Sequence, residues 1–129
     1  MKLLLDTCTL LWLELDLKKI PARLLETLSQ PEAHRFISAA SAWEITLKWS
    51  LGKLPLPEPP AEFLRKARES GGIETLPIDE NSVLQLPKLP RLHADPFDRI
   101  LICQAIEHGL TVVTPDEAIT QYPVRTMWG

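Results

Sequence analysis

His93-Ala-Asp-Pro-Phe-Asp-Arg-Ile-Leu-Ile-Cys-Gln-Ala-Ile-Glu-His-Gly109 is the stretch on which the fold turns. Asp95-Pro96 reads as a helix start, because Asp caps free backbone N–H groups and Pro fits the first helical position. Ile100, Leu101, Ile102, Cys103, Ala105 and Ile106 then cover most of the helix circumference, and Gly109 supplies the left-handed stop. A helix apolar on nearly every side belongs inside a protein, with neighbours packed around it. Such a helix delivers Asp98 to a fixed place at the edge of the core.

Around this helix, strand-like and helix-like segments alternate. Lys2 to Leu5 is too brief for a helix and reads as a buried parallel strand, stopped by Asp6-Thr7. Leu10, Leu11 and Leu13 look helical, and a second helix opens at Pro21 and closes before Pro31. His34 to Ser38 is the second strand. Ser41-Ala-Trp-Glu44 then opens a helix to about Leu51, whose apolar residues leave little polar face, so that one side meets the core and the other a second copy of the protein. A proline-rich connector, Leu54 to Pro60, leads into a helix broken by Gly71-Gly72. Ile73 to Ile78 alternates apolar and polar residues with Pro77 late in the run, which marks a peripheral strand. Glu80 to Leu86 is a short helix ended by Pro87. Beyond Gly109, Leu110 to Thr114 is a β-branched strand, Pro115-Asp116-Glu117 starts a last short helix, and Val124 to Met127 closes the sheet. The alternation predicts an α/β sandwich around a mostly parallel sheet.

The chain has 129 residues, the usual size of one domain, so residues 1–129 are read as a single unit. No apolar run approaches the ~20 residues of a membrane span. Met1-Lys2-Leu3-Leu4-Leu5-Asp6 meets a charge too soon for a signal peptide. Cys8 and Cys103 have no zinc-type spacing and are read as reduced thiols, which together with the missing leader predicts a cytoplasmic protein. A net charge of −3 advertises no broad basic surface for nucleic acid. It leaves a nuclease open, since catalytic acids themselves push the charge negative.

In an open α/β sheet, sites form beyond the carboxyl ends of the strands. Asp6 follows the first strand, Asp116 follows the strand ending at Thr114, and Glu44 lies just after the second strand. Asp98 starts the central helix, whose following strand returns beside it. Two carboxylates about 5 Å apart repel by ~3 kcal/mol at an effective dielectric near 20. Four sharing one edge require protonation or a cation, and oxygen-only ligands favour a hard ion such as Mg²⁺ or Mn²⁺. The chemistry that fits best is metal-dependent phosphodiester cleavage.

Plainer readings compete with each residue. Ser41 and Glu44 score as a capping box, and Asp6, Asp95 and Asp116 are good helix caps in their own right. His93 is read as a loop residue or a hydrogen-bond partner for an acid, with general base or phosphate contact as the sharper options. Trp12, Trp43, Trp49 and Trp128 suit packing better than base stacking. Arg65, Lys66 and Arg68 fit a solvated helix face as well as an RNA contact. A phosphotransfer domain with Asp6 as nucleophile is a third reading. It is weakened because Asp6-Thr7-Cys8-Thr9 lacks a second nearby aspartate.

The chain resembles PIN-domain proteins, of the kind found as toxins in VapBC-type bacterial toxin–antitoxin pairs. The matching pieces are Leu4-Leu5-Asp6-Thr7, Ser38-Ala-Ala-Ser-Ala-Trp-Glu44-Ile, the block from His93 through Asp95-Pro-Phe-Asp98-Arg to Ala105, Thr114-Pro115-Asp116 and Tyr122-Pro-Val-Arg125. The resemblance implies a PIN-like three-layer α/β/α sandwich and a Mg²⁺- or Mn²⁺-dependent endoribonuclease. It assigns Asp6, Glu44, Asp98 and Asp116 to the acidic metal site, with Thr7 and Thr114 as hydroxyl residues beside it and Asp95 as an auxiliary acid or a helix cap. It also implies an RNA substrate, a small antitoxin partner and a homodimer. The alternative is a catalytically silent PIN module that binds RNA or a protein. Many relatives carry His where this chain has Cys8, and Ala where it has Cys103.

Overall fold

The computed structural model describes all residues, Met1–Gly129. Five strands form one sheet: β1 (Lys2–Leu5), β2 (His34–Ser38), β3 (Ile73–Leu76), β4 (Thr111–Val113) and β5 (Thr126–Met127). Their order is β3-β2-β1-β4-β5, and every neighbouring pair is parallel. The expected mostly parallel sheet is thus parallel throughout, with β3 and β5 at the edges.

Seven α-helices connect the strands: α1 (Thr7–Leu15), α2 (Ala22–Leu28), α3 (Ala39–Ser50), α4 (Pro60–Gly71), α5 (Glu80–Val83), α6 (Pro96–His108) and α7 (Glu117–Thr120). Leu3 and Leu5 pack with Leu10, Leu24, Ile45 and Phe63 on one face of the sheet. Leu4 packs with Leu101, Ile102, Val112 and Ile119 on the other. The chain steps outward from β1 to β2 and β3, then returns to β4 and steps the opposite way. Crossovers of one hand must change face when the direction of travel reverses. That rule puts α1 to α4 in one layer and α6 and α7 in the other, giving the three-layer sandwich.

The structure corrects three local expectations. Helix α3 begins at Ala39 and not at Ser41: Ser38, the last residue of β2, caps it by accepting a hydrogen bond from the Ala40 N–H. Ala39 and Ala40 are strong helix formers directly behind that cap, so the capping box at Ser41 is superseded and Glu44 lies in the second turn. Pro87 does not simply end a helix running to Leu86, because α5 stops at Val83 and Leu86–Lys88 form a separate 3₁₀ turn. The 3₁₀ geometry accepts proline in its first turn, where no N–H is needed. Finally, α6 is less enclosed than its composition implies. Leu101 to Ala105 are buried, but Ile106 is exposed at the margin of the layer.

Sequence patterning gave no warning of Gln104, which is fully buried inside α6. Its Oε1 accepts from the Ser38 hydroxyl at 2.5 Å and its Nε2 donates to the Pro77 carbonyl at 3.1 Å. One amide thereby ties the carboxyl ends of β2 and β3 to the central helix. Gln104→Met keeps the volume but strands the Ser38 donor and the Pro77 acceptor. It should lower unfolding stability by about 2 kcal/mol, measured by urea denaturation.

Candidate active site

The sheet changes direction between β1 and β4, and at such a switch point the loops leave in opposite directions and open a cleft. Asp6 sits at the end of β1 and is 4% exposed. Its Oδ1 accepts from the Thr9 N–H at 2.7 Å, capping α1, and its Oδ2 accepts from the Thr114 hydroxyl at 2.5 Å. Thr114 Oγ1 in turn accepts from the Asp116 N–H at 3.0 Å. A single threonine thus sets the spacing between the two strand-end acids. Asp116 also caps α7 through the Ala118 N–H.

Asp98 reaches the same cleft from the first turn of α6. Asp95 caps that helix, accepting from the Phe97 and Asp98 N–H groups, so the cap reading holds for it. Glu44, almost buried on α3, accepts from Lys48 Nζ at 2.7 Å one turn later. Thr7 and Ser41 join α1 to α3 through a 2.9 Å hydroxyl contact below Glu44. Trp43 packs edge-on against Phe97, with ring centroids 4.8 Å apart, and so fixes α3 against the start of α6.

Burial and repulsion both act on these acids. Burial raises the Asp6 carboxyl above its ordinary value against the pull of Thr114 and Thr9, and Asp116 raises it further. Burial also raises Asp98, to about 6, with Asp95 and Asp116 adding repulsion and the His93 hydrogen bond working the other way. No three of the chain's His, Cys, Asp and Glu side chains converge into a ready-made ligand set. Even so, the donor chemistry fits a hard divalent ion: Asp6 and Asp98 bear repulsion that a cation would relieve, and the four acids offer only oxygen.

Three residues the sequence left open now have partners. His93 Nε2 lies 3.1 Å from Asp98 Oδ2, and its Nδ1 lies 2.7 Å from the Tyr122 hydroxyl. That hydroxyl already accepts from the His93 N–H and from Arg99 Nη1, which fills both of its lone pairs. Its own proton must therefore point to Nδ1, which leaves the imidazole proton on Nε2, donated to Asp98. His93 is thus a hydrogen-bond partner of an acid. Tyr122, the only tyrosine, sits in a segment with no local signal of this role. Lys48 was legible only as the i,i+4 partner of Glu44.

Other candidates separate from the site. Arg65 pairs with Glu62 and Glu69, and Lys66 with Glu58, as on a solvated helix face. Trp12 and Trp128 pack against each other. Both cysteines are free, and burial together with Asp6 and Asp116 pushes the Cys8 thiol up to about 11, which leaves it a poor nucleophile.

A carboxyl raised on folding contributes stability below its unfolded value near 3.8 and loses it as pH climbs through about 6. Asp98→Asn, neutral throughout, removes that loss. In EDTA at pH 7.5 the variant should melt about 3 °C above the parent, and at pH 4 the gap should close. A differential scanning calorimeter reads both.

A family model described as PIN domain matches residues 3–124. Ribonuclease VapC16 of Mycobacterium tuberculosis is 46% identical over 43 residues, a stretch spanning 33% of this chain and 30% of that protein. Among solved structures, VapBC2 from Rickettsia felis, bound to a promoter DNA fragment, superposes with a TM-score of 0.78 at 17% identity, covering 100% of both chains. VapBC-1 from nontypeable Haemophilus influenzae gives 0.67 at 19% identity, covering 98% of this chain and 97% of that one. At these identities the two structures support the fold.

Proposed function

The chain belongs to the PIN domain family, and on that premise we propose that it is a divalent-metal-dependent endoribonuclease, the toxin of a VapBC-type pair, acting as one domain over residues 1–129 in the cytoplasm. The observation that carries this reading is the buried, doubly held Asp6 at the switch point of the sheet, repelled by Asp116, which also repels Asp98. The named relative over the aligned third of the chain is a ribonuclease, which agrees with it. No helix is long and apolar enough to cross a membrane.

Asp6, Glu44, Asp98 and Asp116 would hold Mg²⁺ or Mn²⁺, directly or through water. When bound, the ion supplies an activated water and charge neutralisation at the phosphate. The protein's own part is positional. Thr114 holds one oxygen of Asp6 and the Asp116 backbone at a set distance. His93, oriented by Tyr122, turns Asp98 by one hydrogen bond from Nε2. Thr7 and Ser41 hold α1 and α3 in register beside Glu44. Purified protein should cut total cellular RNA into discrete fragments with Mg²⁺ or Mn²⁺ and not with EDTA. Asp6→Asn and Asp98→Asn should each reduce cleavage at least a hundredfold while keeping a native circular dichroism spectrum. Full cleavage by a folded Asp98→Asn protein would overturn the site assignment.

One observation favours the silent binding module instead: Glu44 is engaged by Lys48. Calorimetric titration with Mn²⁺ separates the two readings, since a nuclease must bind the ion and lose that binding with Asp6→Asn.

The partners are proposed from α3. Trp43 is 60% and Leu51 59% exposed, with Leu47 outward between them one turn apart, an apolar stripe unusual for a free surface. We assign it to a second copy of the chain, with a small antitoxin closing the acidic cleft of the assembly. Sedimentation at micromolar concentration should give a dimer, and the double change of Trp43→Ser and Leu51→Ser should give a monomer.

A further inference from the structure

Beside the acidic cleft lies a groove of about 840 Å³, within the ~300–1,000 Å³ range of ligand sites. It is lined by the 3₁₀ turn after α5, the loop leading to α6, and Arg99 from the first turn of α6. Its charge is the reverse of its neighbour's. Arg91, His93 and Arg99 line it with apolar residues, and no carboxylate does, in a chain with 17 acids. The other sizeable cavity, about 410 Å³, lies at the opposite end of the strands and includes Glu14.

The cationic side chains have capacity to spare. Arg91 is exposed and forms no ion pair with any acid. Arg99 commits only Nη1, donating to the Pro90 carbonyl and the Tyr122 hydroxyl, which leaves its Nε and Nη2 protons for an anion. The rest of the lining is mostly apolar, with Leu89 buried and Leu92 exposed. Leu86 and Pro87 complete it. Through His93, whose Nε2 bonds Asp98, the groove is continuous with the acidic cleft.

A chain that cuts a polyanion with a cluster of acids needs cationic contacts to hold the strand on either side of the bond being cut. We propose that this groove seats the nucleotide flanking the scissile phosphate, its base on the exposed Leu92 and its phosphate between Arg91 and Arg99. The proposal rests on the ribonuclease reading and adds to it the place where the strand is held. Arg99 has a double use. It anchors Tyr122 and so orients His93, and it meets the flanking phosphate, which couples strand binding to the position of Asp98.

Arg91 is the clean test, because it touches none of the acids and supports no other side chain. Variants are made in an Asp6→Asn background so that the strand survives in Mg²⁺. A 5′-fluorescein single-stranded RNA 12-mer of mixed sequence is titrated by polarisation across a salt series. Arg91→Ala should weaken binding about fivefold and reduce the salt slope by about 0.7, the contribution of one phosphate contact on a single strand. Arg91→Lys should keep the slope, and Arg23→Ala, on α2 in the opposite layer, should change neither quantity. A 4-thiouridine strand should crosslink to peptides spanning residues 86–99. Equal affinity and slope in Arg91→Ala, with crosslinks elsewhere, would overturn the groove and leave the ribonuclease reading standing. No binding by the parent Asp6→Asn protein would count against the ribonuclease reading itself and the groove with it.

Discussion

Asp6 is a nearly buried carboxyl held by a backbone N–H and a hydroxyl, both neutral donors. Neither offsets its charge, and Asp116 adds repulsion from the next strand. Burying an ion without a counter-charge is among the costliest arrangements in a folded protein. Everything near the switch point is arranged to keep that carboxyl in place despite the cost. Thr9 reinforces the same corner, its hydroxyl donating to the Val113 carbonyl at 3.0 Å, and the Asp6 N–H donates to the same carbonyl at 3.2 Å. The strand ends are pinned before any ligand arrives. Such pinning sets this corner apart from a chance gathering of acids. A helix cap alone has no reason to be buried or to be gripped on its second oxygen.

The three-layer packing serves that corner. β1 lies at the centre of the sheet with Leu3, Leu4 and Leu5 fully buried, so both faces resist displacement of the residue that follows. Leu3 and Leu5 face one helical layer and Leu4 the other. A shift of one residue in register would exchange these faces and move Asp6 off the edge of the sheet. The position of the carboxylate is therefore an outcome of core packing, with the hydrogen bonds making the last adjustment.

Much of this was legible in the residues because the signals were local. A short leucine run ending in Asp6, the Asp95-Pro96 start of α6 and the Gly109 stop each carry their own physical cause, and each element lies where the pattern puts it. What escaped was decided by distant partners. Ser38 and Ser41 are both plausible caps, and the choice depends on β2 running straight into α3. Gln104 looks like a polar residue on an apolar helix until Ser38 and Pro77 arrive from other strands. Tyr122 reaches His93 and Arg99 across 29 and 23 residues. Asp6 and Asp116 could be placed at the carboxyl ends of neighbouring strands by topology alone. The hydroxyl and imidazole supports of the site could not.

Two charge regimes meet at His93. On one side stand Asp98, Asp95 and Asp116, where burial first, and then repulsion from the other two, lifts the Asp98 carboxyl. On the other are Arg91 and Arg99 in a mostly apolar lining. If the same surface mixed these charges, the arginines would neutralise the acids and neither a cation nor a phosphate would gain from binding. Lys48 illustrates the effect, since its ammonium is already committed to Glu44. His93 stands between the arginines and the acids, so the two sets of charges do not pair with each other. On the ribonuclease reading, a strand crossing that boundary would meet the acids with one phosphate and the guanidinium groups with the next. The Tyr122–His93 hydrogen bond then acts as the hinge of the arrangement, because it orients the acid on one side and is anchored by Arg99 on the other.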